Sequence, residues 1–225
     1  MIHLPFEDRL EAGRALAAEL RSRGFDKDAV GLGLARGGVT VAFEVADRLH
    51  IPLDVLVVRK IGVPWQPELA MGAIAGNVRL LDHDLIQELR VPTEDLEDVI
   101  AREEARARRR EELYRKVAPQ FELRGKAAIL IDDGLATGTT MIAAVRHVKT
   151  LEPAKVIMAT PVGSREGCKR LRAEVDDLLC LAVPDRFYAV GEWYREFSEV
   201  SDESVERMLA QNRQSLKRKP GSAAA

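Results

Sequence analysis

Leu10, Arg14, Ala17, Leu20 and neighbouring alanines recur at helical spacing between Glu7 and Arg23, and Gly24 supplies a stop. A first helix with one buried face is expected there. Ala29 to Ala35 is a short apolar run that ends in Arg36-Gly37-Gly38, after which Val39 to Leu49 returns to helical periodicity. The pattern reads as strand, glycine turn, helix. Leu53 to Val58 is a β-branched and leucine-rich run, apolar apart from Asp54, of the kind a buried parallel strand shows, and finishes at Arg59-Lys60. Together these segments make a βαβ unit.

Gly62, Pro64, Trp65 and Pro67 then break the pattern, predicting a mobile loop joined to short strands at Leu69 to Ala75 and Val78 to Leu81 about a Gly76-Asn77 turn. Pro92-Thr93 opens a long charged helix through about Val117, in which Arg102, Arg106, Arg108, Arg109 and Arg110 alternate with glutamates. Such a helix reads as solvated and laced with ion pairs. Alternation resumes afterwards: strand Lys126 to Ile131, polar turn Asp132 to Thr139, helix Thr140 to Leu151, strand Val156 to Thr160, helix Glu166 to Ala173, strand Asp177 to Val183. Strands alternating with helices imply an α/β fold, a largely parallel twisted sheet with helices on both faces. From Pro184 the chain is richer in aromatics, with Phe187, Tyr188, Trp193, Tyr194 and Phe197, and a last helix is expected from Asp202 to about Gln214. Residues 217–225 read as a disordered tail.

A chain of 225 residues suits one large domain, here taken as 1–216. Its formal net charge of -2 excludes a protein that holds nucleic acid by overall phosphate neutralisation, leaving only local basic patches. Two cysteines, Cys168 and Cys180, and four scattered histidines carry neither a disulfide framework nor zinc-ligand spacing. No uncharged stretch is long enough to cross a bilayer. A cytoplasmic protein with neither nucleic-acid nor membrane partners is expected.

The chemistry concentrates at Ile129 to Thr140. An apolar strand delivers Asp132 and Asp133 to the carboxyl edge of a sheet, where open α/β folds bind ligands. Gly134, Ala136, Thr137, Gly138, Thr139 and Thr140 then begin a helix, and small residues, hydroxyls and a helix N-terminus together suit a phosphate. Carboxylates repel a phosphate, so the two acids must face something else, such as sugar hydroxyls or a metal. A phosphorylated sugar satisfies both halves. The plainer alternative is that the aspartates cap the helix and the glycines make a tight turn. A nucleotide-hydrolase P-loop is excluded, since the stretch has no Gly-Lys-Ser/Thr ending.

Ile129 to Met141 closely resembles the phosphoribosyl-pyrophosphate signature of type I phosphoribosyltransferases: apolar run, two acids, variable pair, small residue, Thr-Gly, small residues. The resemblance extends over most of the chain. It implies a core sheet with a pyrophosphate loop at Arg36-Gly37-Gly38, a flexible loop at about 61–75 that closes to exclude water, the charged helix at about 93–117 and a C-terminal hood at about 184–216. Residue by residue, it implies that Asp132 and Asp133 bind the ribose diol and that Gly134, Ala136, Thr137, Gly138, Thr139 and Thr140 form the 5-phosphate loop. Arg36 and Gly37 would meet the pyrophosphate, and Lys60 would reach the leaving group. Magnesium is implied, held mostly by substrate oxygens, with Asp132 and Glu192 as the candidate protein acids. A homodimer is common in the family.

The acceptor is left open. Hypoxanthine/guanine enzymes carry an aspartate where this chain has Ala136, whereas Val183-Pro184-Asp185-Arg186-Phe187 resembles their purine-stacking segment, with Phe187 and Tyr188 the candidate acceptor contacts. Phe187 and Tyr188 read equally as hood core. Transfer to a nucleobase or related nitrogen acceptor is the primary expectation, and a regulator that binds phosphoribosyl pyrophosphate without transfer is the alternative. Gly31-Leu32-Gly33 with Gly37 is a poor dinucleotide fingerprint, because its first glycines fall inside the strand.

Overall fold

The computed structural model describes residues 3–25 and 28–218. The side chain of Asp8 accepts from the amide of Glu11 at 2.7 Å and so starts α1 (Arg9–Ser22). β1 (Ala29–Leu34), α2 (Gly37–Leu49) and β2 (Leu53–Leu56) follow as the predicted βαβ unit. An intervening block holds β3 (Val58–Val63), β4 (Gln66–Ala75), β5 (Val78–Leu81), α3 (His83–Glu88) and α4 (Thr93–Val117). The chain then runs through β6 (Ala127–Ile131), α5 (Thr139–Lys149), β7 (Lys155–Val162), α6 (Arg165–Arg172) and β8 (Asp177–Ala182). A short 3-10 turn at Val190–Trp193 and α7 (Asp202–Arg218) complete it. α7 therefore includes residues 217 and 218 of the expected tail, and residues 219–225 lie outside the described ones.

The main sheet has the order β2-β1-β6-β7-β8, with every neighbouring pair parallel. Successive side chains leave a strand on opposite faces, so the sheet needs cover on both. Leu53, Val55, Ile129 and Ile131 enter one layer with Leu16 of α1, Val45 of α2 and Leu209 of α7. Leu32, Leu130 and Met158 enter the other with Met141 and Val145 of α5 and Leu171 of α6. This is the α/β architecture that the alternation predicts.

Gly33 occupies the α2 side of β1, where a Cβ would stand 2.7 Å from Cα of Val39 and 3.0 Å from Cβ of Ala42. Its smallness serves helix-on-strand contact rather than dinucleotide binding. Gly33→Val is expected to destabilise the protein by about 1–3 kcal/mol through overpacking, read as a lower melting temperature. An unchanged melting temperature would mean that α2 is free to shift outward.

Two expectations need correction. Residues 61–75, expected from the resemblance as a flexible loop and from the pattern as a loop leading into a strand at 69–75, are strand over most of their length: β3 and β4 pair antiparallel across a tight Pro64-Trp65 turn, β4 takes in the expected strand, and β5 adds to its far side about the expected Gly76-Asn77 turn. The breakers that suggest a loop sit at register shifts on either side of Gly62, whose backbone lies so close to Pro67 that a Cβ would overlap its carbonyl oxygen. The run Leu53 to Val58 is likewise two strands, divided at Val57, so Arg59 and Lys60 belong to the small antiparallel sheet and not to the end of a core strand. That sheet packs Ile61, Met71 and Ile74 against Val99 and Ile100 of α4 on one face, and Ala73 and Ala75 against Ala143 of α5 on the other.

Candidate functional site

From β1 the chain moves outward to β2, whereas from β6 it moves the opposite way to β7 and β8. The order reverses between β1 and β6, so their carboxyl ends part and leave a crevice, the usual ligand position in open α/β sheets. Arg36-Gly37-Gly38 ends one side and Asp132-Asp133 the other. The two sides are so close that a Cβ on Gly37 would overlap Oδ2 of Asp133, and one on Gly38 would stand 2.7 Å from Oδ1 of Asp132. Only glycine lets α2 begin here.

Asp8, Asp82 and Ser164 cap α1, α3 and α6 with side-chain oxygens, but α2 and α5 start at Arg36 and Gly138 with no side-chain cap. Both helices that open on the crevice thus leave first-turn amides without a side-chain acceptor, and their dipoles favour an anion. Gly138 adopts φ 83°, a left-handed conformation that glycine accepts without strain, and this turns the chain from the loop into α5. Ala136 and Thr137 are exposed, while Thr139 and Thr140 are half-buried in the first turn. The loop is held from behind: the amide of Ser164 donates to the carbonyl of Leu135 at 2.7 Å, and Arg170 Nη1 donates to the carbonyl of Thr137 at 2.8 Å. Arg170 supplies the nearby cation that the loop's own sequence lacks. An open recess of about 320 Å³ adjoins it, bounded by Thr139, Arg170, Asp82 and His83.

The two carboxylates sit in different surroundings. Asp132 is set deep among protein atoms, and this burial, followed by the neighbouring charge of Asp133, holds its carboxyl well above the ordinary carboxylate range. The amide of Asp133 donates to Asp132 Oδ1 at 2.9 Å and partly offsets that rise. Asp133 Oδ2 instead accepts from Arg9 Nε at 2.7 Å, in a pair whose side chains are only 10% and 15% exposed. Arg9 Nη1 also donates to the carbonyl of Ser198 at 2.8 Å, and the guanidinium lies 3.8 Å from the ring centre of Phe197. One cation therefore joins the crevice to the C-terminal segment. Tyr194 adds a second tie through a hydroxyl that donates to the carbonyl of Asp133; burial, then the charge of Asp133, pushes this phenol up.

Sequence reasoning misses Arg9, although a signal for it is present. Arg9, Ala12, Gly13, Leu16 and Leu20 are buried on one face of α1, and a cation on an apolar stripe implies a buried acid partner. Arg170 gives no comparable signal.

Other expected residues fall in less direct positions. Arg36 pairs with Glu199, and Lys60 Nζ pairs with Glu68 Oε2 at 3.1 Å across the β3–β4 hairpin. Neither touches a crevice carboxylate in this structure. Gly134 lies against the hood, where a Cβ would overlap Cγ1 of Val190. Phe187 stacks on Trp193 with ring centres 6.4 Å apart, while Tyr188 projects with 80% exposure. Glu192 is exposed and accepts from the amide of Ala189 in its own turn at 3.4 Å, so it belongs to no acidic cluster with Asp132. Among the described residues no group of three or more His, Cys, Asp or Glu side chains forms a metal cage. Nor is any described helix long and apolar enough to cross a membrane.

Residues 6–194 match the family model described as a phosphoribosyl transferase domain. Two curated Mycobacterium tuberculosis proteins (strains CDC 1551 / Oshkosh and ATCC 25618 / H37Rv), each named "Putative phosphoribosyl transferase", are 43% identical over 205 residues, which cover 91% of this chain and 46% of theirs. The chain thus spans about half the length of these curated relatives. A solved structure, TT1426 from Thermus thermophilus, aligns with a TM-score of 0.76 and 43% identity over 92% of this chain and 98% of that one.

Proposed function

The chain belongs to the phosphoribosyl transferase domain family, and we propose on that footing that it transfers ribose 5-phosphate from phosphoribosyl pyrophosphate to a nucleobase or related nitrogen acceptor. The observation that carries this reading is the β1/β6 crevice, where two helix N-termini without side-chain caps flank a pair of carboxylates. Two anionic groups and a diol between them are what such a crevice complements. The first turn of α5, with Thr137, Thr139 and Thr140, would hold the 5-phosphate. Asp132 and Asp133 would accept from the ribose hydroxyls through the oxygens left free by the Asp133 amide and by Arg9. The Gly37 and Gly38 amides with Arg36 would receive the diphosphate.

In the transfer, the bond from the anomeric carbon to diphosphate oxygen breaks, the electron pair leaves with pyrophosphate, and the acceptor nitrogen bonds to the same carbon and loses its proton. Fixed charges placed where charge develops lower that barrier. Arg36 and Lys60 have the charge the leaving group needs, and in the free protein each rests on an exposed carboxylate, Glu199 at 78% and Glu68 at 96% side-chain exposure. Pairs of that kind are worth about 0–1 kcal/mol, so a diphosphate displaces the carboxylates at little expense. The hairpin of β3 and β4, with Trp65 at its tip, is the element proposed to close over the sugar.

The hard oxygen donors of Asp132 suit Mg²⁺ beside a diphosphate, and Glu192 does not, because it is committed to its own turn. When bound, the ion supplies neutralisation of diphosphate charge. A cytoplasmic homodimer is part of the same proposal.

Pyrophosphate release should be measured with phosphoribosyl pyrophosphate, Mg²⁺ and a panel of purine and pyrimidine bases. Turnover with at least one base is expected. Saturable binding of the sugar without turnover on any base would reject transfer in favour of a regulator, and absence of binding would reject the site.

A further inference from the structure

The arginines of α4 do more than solvate it. Arg106, Arg109, Arg110 and Lys116 stand at spacings that return to one helical face, and that face, with Arg59 of β3 opposite and Asp202 of α7 at the edge, lines an open cavity of about 610 Å³. None of the residues assigned above to the sugar or its phosphates lines it, although it adjoins them: Arg59 and Arg106 also line the pocket that holds Lys60, and the charge of Arg36 reaches Tyr114 behind Asp202. Five cations face it against two carboxylates, Glu112 and Asp202, and even with Glu103 behind them two positive charges stand unbalanced. Some of the cations are already held in place. Glu103, only 6% exposed, accepts from Arg59 Nη2 and from Arg106 Nη1, each at 2.7 Å, and Asp202 Oδ1 lies 3.2 Å from Arg110 Nε. Asp202 is itself fixed by the hydroxyl of buried Tyr114. Arg109 and Lys116 make no ion pair among the described residues and are exposed, so their donors are available without breaking any contact.

We infer that this cavity is a second binding site, beside the diphosphate end of the crevice, for a small polyanion bearing two or more phosphoryl groups. Guanidinium forks match phosphoryl oxygens two at a time, and donors fixed beforehand lose little freedom on binding. The volume lies within the range of small-molecule sites, about 300–1,000 Å³, and a concave wall built from three elements suits a compact ligand better than a nucleic-acid strand. Overall charge points the same way, since a chain of net charge -2 lacks the global pull that would draw a polynucleotide to it. In the empty protein the crowded like charges repel, so an anion should also raise thermal stability.

Inorganic tripolyphosphate is the probe, titrated calorimetrically into the full chain at low and high salt. Saturable binding that weakens as salt rises is expected, with Arg109→Gln plus Lys116→Gln lowering affinity roughly tenfold or more. Arg36→Gln, and likewise Asp132→Asn plus Asp133→Asn, should leave that binding unchanged, and Arg109→Lys should retain most of it. The proposal is overturned by any of three results: no saturable heat with the wild type, unchanged affinity in the Arg109/Lys116 variant, or loss of the binding in the Arg36 or the aspartate variant, which would put the anion in the β1/β6 crevice. A change of elution volume in the Arg109/Lys116 variant with unaltered titration would make this face a contact between copies and overturn it too. Because both substituted side chains are exposed, the variant's melting curve should match or exceed the wild type, and this separates lost binding from lost fold.

Discussion

Asp132→Asn combined with Asp133→Asn is expected to weaken binding of phosphoribosyl pyrophosphate by about a hundredfold or more while the protein remains folded. A hydrogen bond to a charged group contributes about 1.5–3 kcal/mol, and both carboxylates are proposed to accept from the ribose diol, so about 3 kcal/mol or more is lost. The fold should survive because burial already works against Asp132. Its carboxyl lies above the ordinary range in the folded protein, so the stability it contributes is fully present at acidic pH and is lost as pH rises through the folded value. An amide of the same shape has no charge to desolvate, and Asp132→Asn alone should raise melting stability of the free protein at neutral pH by about 1 kcal/mol. It should also flatten the decline of stability toward higher pH. Calorimetric titration of the sugar and melting curves at several pH values check the two halves; undiminished affinity in the double variant would remove both aspartates from the site.

Arg9→Leu is expected to be the most destabilising of the single substitutions. The change removes one partner of a pair whose side chains are nearly enclosed, and it leaves Asp133 charged and unsatisfied beside Gly37. Breaking a buried pair in this way costs about 3–5 kcal/mol. The same change releases the carbonyl of Ser198 and the ring of Phe197, so the C-terminal segment should loosen where it meets the crevice. Hydrogen exchange at residues 194–200 is the discriminating measurement: faster exchange there, with β7 and β8 protected, is the expected result. Uniform behaviour along the chain would mean that Arg9 is only a packing residue. Arg9→Lys should restore charge but not the fork and should fall between the two.

Much of this architecture is legible in the residues. The alternation of short apolar runs with helical stripes announces the parallel sheet, since burial on two faces and burial on one face leave different periods in the chain. The Asp132 to Thr140 stretch announces its chemistry because all of its parts are consecutive, so a single turn presents them together. The charged helix is equally plain, Thr93–Val117 as observed, because a run of twenty-five residues dominated by strong helix formers needs no tertiary help to be recognised. Elsewhere, local signals mislead. Gly62, Pro64 and Pro67 mark irregular backbone when read alone, yet β3 and β4 absorb them as a tight turn and two register shifts because β5 and α4 cover the sheet they form.

Local pattern along the chain thus specifies the α/β class, the position of the signature turn and the glycines that admit α2 to the sheet edge. It takes the folded arrangement to make β1 and β6 neighbours, to bring Arg9 to Asp133 across 124 residues of chain, to rest Glu199 on Arg36, and to turn the cations of α4 toward Arg59. The difference is one of range. Periodicity and turn chemistry arise from dihedrals and neighbours within a few residues, whereas ion pairs and cavities depend on which distant segments the crossovers bring together, and nothing written within a few residues carries that information.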